Sequence, residues 1–215
     1  AATRSVLAAV RRHSRRVSPA AALAAGTAVV SAAEVRTALH ALPPGSAPGP
    51  DGLPVLLYRR HAAALAPLLA RVYSVIGASG AAPPDFLMGA ISFFYKKGER
   101  SDPANYRPIT LLNADYRILT RALATRFGEA LRDVIDTAQC AFLPGRRIGE
   151  AVWALKLLPH WLQAKRQSAV LAFLDFAKAY DTVDRRFLFS VMSEMGAGGG
   201  MLNWAKALLC DTQAV

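Results

Sequence analysis

The chain has 215 residues, 53% of them hydrophobic, which supplies enough apolar material for a core and excludes a fully disordered chain. Lys and Arg number 26 against 15 Asp and Glu, and the resulting charge of +11 favours a polyanionic partner, nucleic acid above all. The two cysteines, Cys140 and Cys210, fit neither a disulfide framework nor, with four histidines at no ligand spacing to them, a zinc site, and no run of 18 uninterrupted apolar residues is present to span a membrane.

Composition offers a second source for the charge, because Arg outnumbers Lys 20 to 6, as GC-rich coding sequence produces. Residues 1 to 33 hold no acid and carry Arg4, Arg11, Arg12, Arg15 and Arg16. That is the composition of an organelle transit peptide, but without a leading Met it is better read as a basic connector over residues 1–30, ahead of a domain over 31–215. Ser31 followed by Glu34 is a capping box that opens a short helix to about Leu42. Residues 42–52 hold four prolines and three glycines, which forbid helix and central strand and predict a shaped loop. From Pro54 to about Ile76, Leu56, Leu57, Leu65, Leu68, Leu69, Val72, Tyr73 and Ile76 recur at helical spacing. This predicts one amphipathic helix with Pro54 in its first turn and a kink at Pro67. Gly77 to Pro84 is read as a break.

Met88 to Tyr95 is dense in β-branched and aromatic residues and predicts a strand; Tyr106 to Leu112 predicts a second. The polar stretch Lys96 to Asn105 then makes the basic tip of a hairpin. Helical patterns cover Ala114 to about Val134 and Gly149 to about Lys165, with a loop at Gln139–Arg146 between them. Ala169 to Asp175 is short and apolar, as a strand buried on both faces is. Asp184 is an N-cap for a helix to about Met195, Gly196 to Gly200 breaks it, and a last helix runs from Met201. Helices dominate, strands are isolated, no repeat is visible, and the class is α+β.

The chemistry concentrates in Leu171-Ala-Phe-Leu-Asp-Phe-Ala-Lys-Ala-Tyr-Asp-Thr-Val-Asp184, where an apolar run ends in Asp175. Unpaired buried carboxylates are costly, so such an Asp caps, pairs or binds a cation. Magnesium takes one or two carboxylates from protein along with substrate phosphates. Leu174-Asp-Phe-x-Lys-Ala-Tyr-Asp181 resembles the first catalytic motif of reverse transcriptases, those of non-LTR (LINE-type) retrotransposons in particular. Four further blocks are similar to that family in the same order. Ala47-Pro-Gly-Pro-Asp-Gly52 resembles its Pro-Gly-Pro-Asp-Gly segment. Tyr95-Lys-Lys-Gly98 resembles Pro-Lys-x-Gly, with Tyr95 where Pro is frequent. Asn105-Tyr-Arg-Pro-Ile-Thr-Leu-Leu112 resembles Asn-Tyr-Arg-Pro-Ile-Ser-Leu-Leu, and Gln139-Cys-Ala-Phe-Leu-Pro-Gly-Arg146 resembles Gln-x-Gly-Phe-x-Pro-Gly-Arg, with Ala141 in place of Gly.

The resemblance implies the fingers and first palm strand of a right-hand polymerase, and RNA-directed DNA synthesis by two-metal nucleotidyl transfer. It implies that Asp175 is the catalytic carboxylate and a ligand to two Mg2+ ions, and that Tyr180 lies under the incoming sugar and rejects a 2′-hydroxyl. A core aromatic is the other reading of Tyr180, and local hydrogen bonding is the role expected of Asp181. Phe176, Lys96, Lys97 and Arg107 would bind the nucleotide, Arg107 by a bidentate guanidinium fork on phosphate. Gly49, Asp51, Gly52, Gly145 and Arg146 would face template and primer, although Arg146 also fits a surface Arg at a helix start. The expected partners are an RNA template, a DNA primer and deoxynucleoside triphosphates, with no membrane and a nuclear location that the sequence does not itself specify.

The family's second carboxylate source, an aromatic-x-Asp-Asp turn, is missing, as is the Arg-Gln-Gly block before it. With Ala1 at one end and Val215 at the other, the chain is expected to cover the front half of a catalytic domain and to be inactive without the remainder. A catalytically dead nucleic-acid-binding remnant and a group II intron-type reverse transcriptase are the alternatives.

Overall fold

A computed structural model describes residues 2–143, 145–176, 179–180, 182–210 and 212–214. Among these, helices α1 (Ala2–His13), α2 (Pro19–Gly26), α3 (Ala32–Ala41), α4 (Val55–Arg60) and α5 (Ala62–Ser79) precede a hairpin of β1 (Met88–Tyr95) and β2 (Tyr106–Leu112). Helices α6 (Ala114–Leu131), α7 (Ile148–Lys165), α8 (Arg185–Glu194) and α9 (Gly199–Leu209) follow, and then β3 (Gln213–Ala214). The sheet order is β2-β1-β3, with β1 antiparallel to β2 and parallel to β3. The fold is helix-rich α+β.

The core is built from one stripe on each of four helices. Val35, Ala38 and Leu39 of α3 meet Ala66, Ala70, Tyr73 and Ile76 of α5, then Ile118, Leu119, Ala122 and Leu123 of α6, and Trp204 and Leu208 of α9. Each fully buried large side chain here contributes about 1.5–3 kcal/mol. Phe86 joins the layers, its ring tilted against Tyr73 at 6.2 Å and against Tyr116 at 5.5 Å. Helix α5 is long and apolar enough to cross a membrane by length and composition, yet its Ala66–Ile76 stripe is buried in this core.

The stretch before residue 31 is not a featureless connector. Ser18 caps α2 by accepting from the Ala21 amide, with Pro19 at the first helical position. Val17, Ala22 and Ala25 form a second cluster with Val134, Ala197 and Met201. Helices α2 and α9 approach through glycine: a Cβ on Gly26 would come within 2.7 Å of the Met201 nitrogen.

The strongest long-range polar contact joins this segment to α6. The Ser31 capping box forms with both of its bonds, and the Arg126 guanidinium holds Glu34 at 2.5 and 2.9 Å. Arg126 also donates to the carbonyls of Thr27 (2.9 Å) and Val29 (2.7 Å).

Several boundaries differ from the sequence reading. The Pro54–Ile76 helix is divided at His61 (φ −108°, ψ 22°), not at Pro67, and Pro54 precedes its first turn. Pro67 lies inside α5, past its first turn, where it supplies no amide to the Ala63 carbonyl, and the helix continues through it to Ser79. The break expected at Gly77 comes at Gly80, whose φ of 69° ends α5; Gly77 stays within the helix, and its lack of a Cβ makes room for the Trp204 ring. Gly199 and Gly200 open α9 instead of breaking the chain. Helix α7 buries none of its residues.

The strand expected at Ala169–Asp175 is not formed. Residues 169–176 carry no strand hydrogen bonding, and Val170 (99% exposed) and Leu174 (90%) face solvent. An apolar run makes a strand only where a neighbouring strand takes its backbone bonds, and the sheet of the described residues does not include this run.

Glu34 makes acid sensitivity testable. Donation from Arg126 is the largest cause holding its carboxyl at about 2, below the usual 4.5. The folded-state value is depressed, so this stabilisation is complete above about 4.5 and is lost as pH falls towards about 2. Denaturant titrations across that window should show stability falling more steeply in the parent than in Glu34→Gln. Arg126→Ala should cost about 2–4 kcal/mol at neutral pH, because it leaves a partly buried carboxylate unpaired.

Candidate nucleotide and nucleic-acid face

The β1–β2 hairpin carries the basic candidates. Its register pairs Phe94 with Arg107 and Tyr95 with Tyr106, and the Lys96 amide donates to the Asn105 carbonyl at 2.8 Å. Phe94 and Arg107 share one face as a cross-strand pair, and Lys96, the first residue past β1, continues the ladder through its bond to Asn105. Phe94, Lys96 and Arg107 are exposed, as are Phe93 and Lys97. The tip is ordered by its own contacts. Tyr95 donates its hydroxyl to the Gly98 carbonyl (2.7 Å), Tyr106 donates to Arg100 (2.9 Å), and the Arg100 guanidinium lies 5.0 Å over the Tyr95 ring. Gly98 has φ +96°, which a larger residue would resist. The departure to Tyr95 thus has a structural use: its ring and hydroxyl hold the turn.

The second group is the loop Ala47–Gly52, seated on the N-terminus of α6. The Asp51 amide donates to Asn113 Oδ1 (3.2 Å), and Arg117 donates to the Ala47 carbonyl (3.3 Å). Asp51 turns the chain by accepting from the Leu53 amide (2.9 Å), and Gly52 takes φ +70°. Gly49 lies so close to Leu112 and Asn113 that a Cβ would overlap both. The loop is therefore fixed to the foot of β2, one residue from its end.

Behind the loop the environment is apolar and acidic. Burial pushes the Asp115 carboxyl up, and the Asp51 charge adds to it. Tyr58 is pushed up to about 12, by burial first and then by the Asp115 and Asp51 charges. Tyr73 is raised further, by burial first and then by Asp115 and Tyr58, and donates its hydroxyl to the Asp115 carbonyl at 2.7 Å. Tyr73 thereby serves as a hydrogen-bond donor to the backbone that opens α6.

The third group is the loop before α7. Half-buried Arg146 donates to the carbonyls of Gln139 (2.9 Å), Ile135 (2.9 Å), Arg132 (3.3 Å) and Asp136. Its guanidinium is turned onto the chain's own backbone, closing the loop over the end of α6. Gly145 (φ +80°) and Phe142 (φ +64°) both take left-handed backbone. Such strain in an aromatic residue costs of the order of 1–3 kcal/mol and persists only where surroundings impose it. The Phe142 ring meets Tyr180 edge-on at 6.5 Å, so this loop touches the Asp175 motif.

Within that motif, Asp175, Phe176 (81% exposed) and Tyr180 (80% exposed) face solvent, which removes the core-aromatic reading of Tyr180 in this chain. Asp184 caps α8 by accepting from the Phe187 amide at 2.9 Å. Asp181 lies outside the described residues. Among the described residues no three carboxylate, imidazole or thiol groups gather as a metal site.

The sequence reading missed Asn113, Arg117 and Phe142. Asn113 carries one readable signal, an Asn before a helix, but that signal predicts a local cap. Positive φ at Phe142 has no sequence signal of its own.

Residues 95–214 match the family described as reverse transcriptase (RNA-dependent DNA polymerase), more than half of the chain and all of its hairpin tip, α6 and Asp175 motif. The chain belongs to the reverse transcriptase family. Its relatives are non-LTR retrotransposon proteins. It is 30% identical over 184 residues to the uncharacterized 149 kDa protein of transposon TX1 from Xenopus laevis, covering 85% of this chain and 14% of that protein. It is similar to Pol polyproteins of the R2 retrotransposable elements of Popillia japonica (29% over 182 residues; 83% of this chain, 24% of the relative) and Nasonia vitripennis (26% over 147; 68% and 14%). The chain thus spans between a seventh and a quarter of the length of these curated relatives.

Two substitutions separate architecture from surface here. Arg146→Ala should lower stability by about 1–3 kcal/mol, since it removes charge-assisted bonds that gather four carbonyls. Arg107→Ala, on an exposed strand face, should stay within about 0.5 kcal/mol of the parent. Urea midpoints measure both.

Proposed function

We propose that the chain forms the fingers and the first part of the palm of a right-hand polymerase that copies an RNA template into DNA. The observation that carries this reading is the hairpin register, which pairs exposed Arg107 with exposed Phe94 and leads into Lys96 at an ordered basic turn. A planar guanidinium beside a lysine suits a triphosphate, the first by bidentate contact and the second as a point charge. Lys97 adds charge at the same tip. Phe176 and Tyr180 contribute the sugar side of the nucleotide site, where the bulk of Tyr180 excludes a 2′-hydroxyl. The Gly49, Asp51 and Gly52 loop and Gly145 face the template–primer duplex through backbone that comes close to phosphate. Arg146 acts there by holding its loop, with its donors on carbonyls.

Asp175 suits Mg2+ as a hard oxygen donor, exposed and at the end of an apolar run. Bound at Asp175, Mg2+ would supply activation of a primer 3′-hydroxyl and charge neutralisation for a departing pyrophosphate. Two-metal sites take ligands from several elements, and the described residues present no cluster of three donors. The 215-residue chain accordingly binds nucleic acid without extending a primer, and polymerisation belongs to a complete domain in which the run 169–175 gains strand neighbours.

In a complete parent protein, Arg107→Ala should lower kcat/KM for deoxynucleotides by roughly ten- to a hundredfold, as loss of charge-assisted phosphate bonds of about 1.5–3 kcal/mol does. An unchanged kcat/KM rejects the role. Primer extension by the 215-residue chain alone would reject its inactivity, and a chain without measurable affinity for an RNA–DNA duplex would reject the nucleic-acid reading.

A further inference from the structure

Asn113 is the one polar residue in the buried set among the described residues, 8% exposed. It stands directly before α6, where an Asn side chain ordinarily accepts from an amide of the helix's own first turn. Here it makes no such bond. Its Oδ1 accepts from the Asp51 amide instead, 62 residues away in the chain. The helix start forgoes its local cap, and the oxygen goes to the Pro-Gly-Pro-Asp-Gly loop. The loop answers from the other side, because at Gly49 only a residue without a Cβ fits against the Asn113 backbone and side chain. Arg117, one turn into α6, takes the carbonyl at Ala47, the far end of the same loop. Three contacts from one corner therefore hold one loop. That corner is also the foot of β2, since Leu112 pairs with Gly89 and the strand runs from there to Arg107.

We infer that Asn113 is a positioning residue that locks the Ala47–Gly52 loop to the base of the β1–β2 hairpin, so that the loop's duplex-facing backbone and the hairpin's basic face are presented as one rigid unit. This rests on the reading of the loop as a template–primer contact. An amide bonded in this way to a buried acceptor resists hydrogen exchange, and a single neutral hydrogen bond corresponds to an affinity change of about two- to twelvefold.

The test uses the whole 215-residue chain, its Asn113→Ala variant and its Gly49→Ala variant, the last of which disturbs the same contact with Asn113 intact. Two quantities are read: hydrogen exchange of the Asp51 amide relative to amides of α5, and affinity for a fluorescein-labelled RNA–DNA duplex over a range of salt. The expected result is Asp51 exchange at least about tenfold faster in both variants with α5 unchanged. Duplex affinity should fall about two- to tenfold, with the salt slope unaltered because no cation has been removed. Unchanged Asp51 exchange in both variants overturns the inference. Faster exchange with unchanged affinity overturns the link between anchoring and binding. If the unaltered chain binds no duplex, the template reading fails and takes that link with it, while the exchange data still decide whether Asn113 anchors the loop.

Discussion

The Arg126 guanidinium is the contact on which the helical assembly turns. It takes both oxygens of Glu34 and the carbonyls of Thr27 and Val29, so one side chain of α6 gathers the segment between α2 and α3. That segment contains the capping box, which sets the direction of α3. Once α3 is placed, Val35 and Leu39 meet Tyr73 and Ile118, and the core closes around α6. The opposite end of α6 carries the functional consequence. There the helix begins one residue after β2 ends, and the Pro-Gly-Pro-Asp-Gly loop is seated on the junction. A well-packed helix thus fixes the hairpin and the loop relative to each other.

The stretch between α6 and α8 differs in kind. Helix α7 buries no residue, and Trp153 and Trp161 are 65% and 53% exposed. The run leading to Asp175 is equally open. Exposed apolar side chains on both segments are surface that further protein would cover. The relatives extend well beyond the matched region, and a reverse transcriptase palm is the assembly such a face would join. The hairpin and the Ala47–Gly52 loop adjoin the well-packed half, while Asp175, Phe176 and Tyr180 lie on the open half.

What was legible in the sequence follows from locality. The hairpin strands lie where β-branched and aromatic density placed them, and the Ser31 and Asp184 caps form, because each depends on residues within a few positions. The helix break at His61 was not legible, because Pro67 marks strain without specifying where the chain relieves it. Gly77, Gly199 and Gly200 looked like breakers, but Gly77 and Gly200 serve close helix packing against residues far away in sequence. The Asp175 run was read as buried because it is apolar, although burial requires a partner that composition cannot supply. Arg107 and Lys96 stand out in the sequence by motif resemblance, and both lie exposed on the hairpin. Asn113 was passed over because its bond spans 62 residues.

The proposed nucleic-acid face comprises the hairpin and the Ala47–Gly52 loop. Photo-crosslinking of the chain to an RNA–DNA duplex carrying 5-bromouracil along the template strand, with the adducts located by mass spectrometry, tests it most directly. Adducts should fall in residues 47–53, 93–98 and 105–108. Adducts confined to α1 or to the exposed tryptophans of α7 would contradict it.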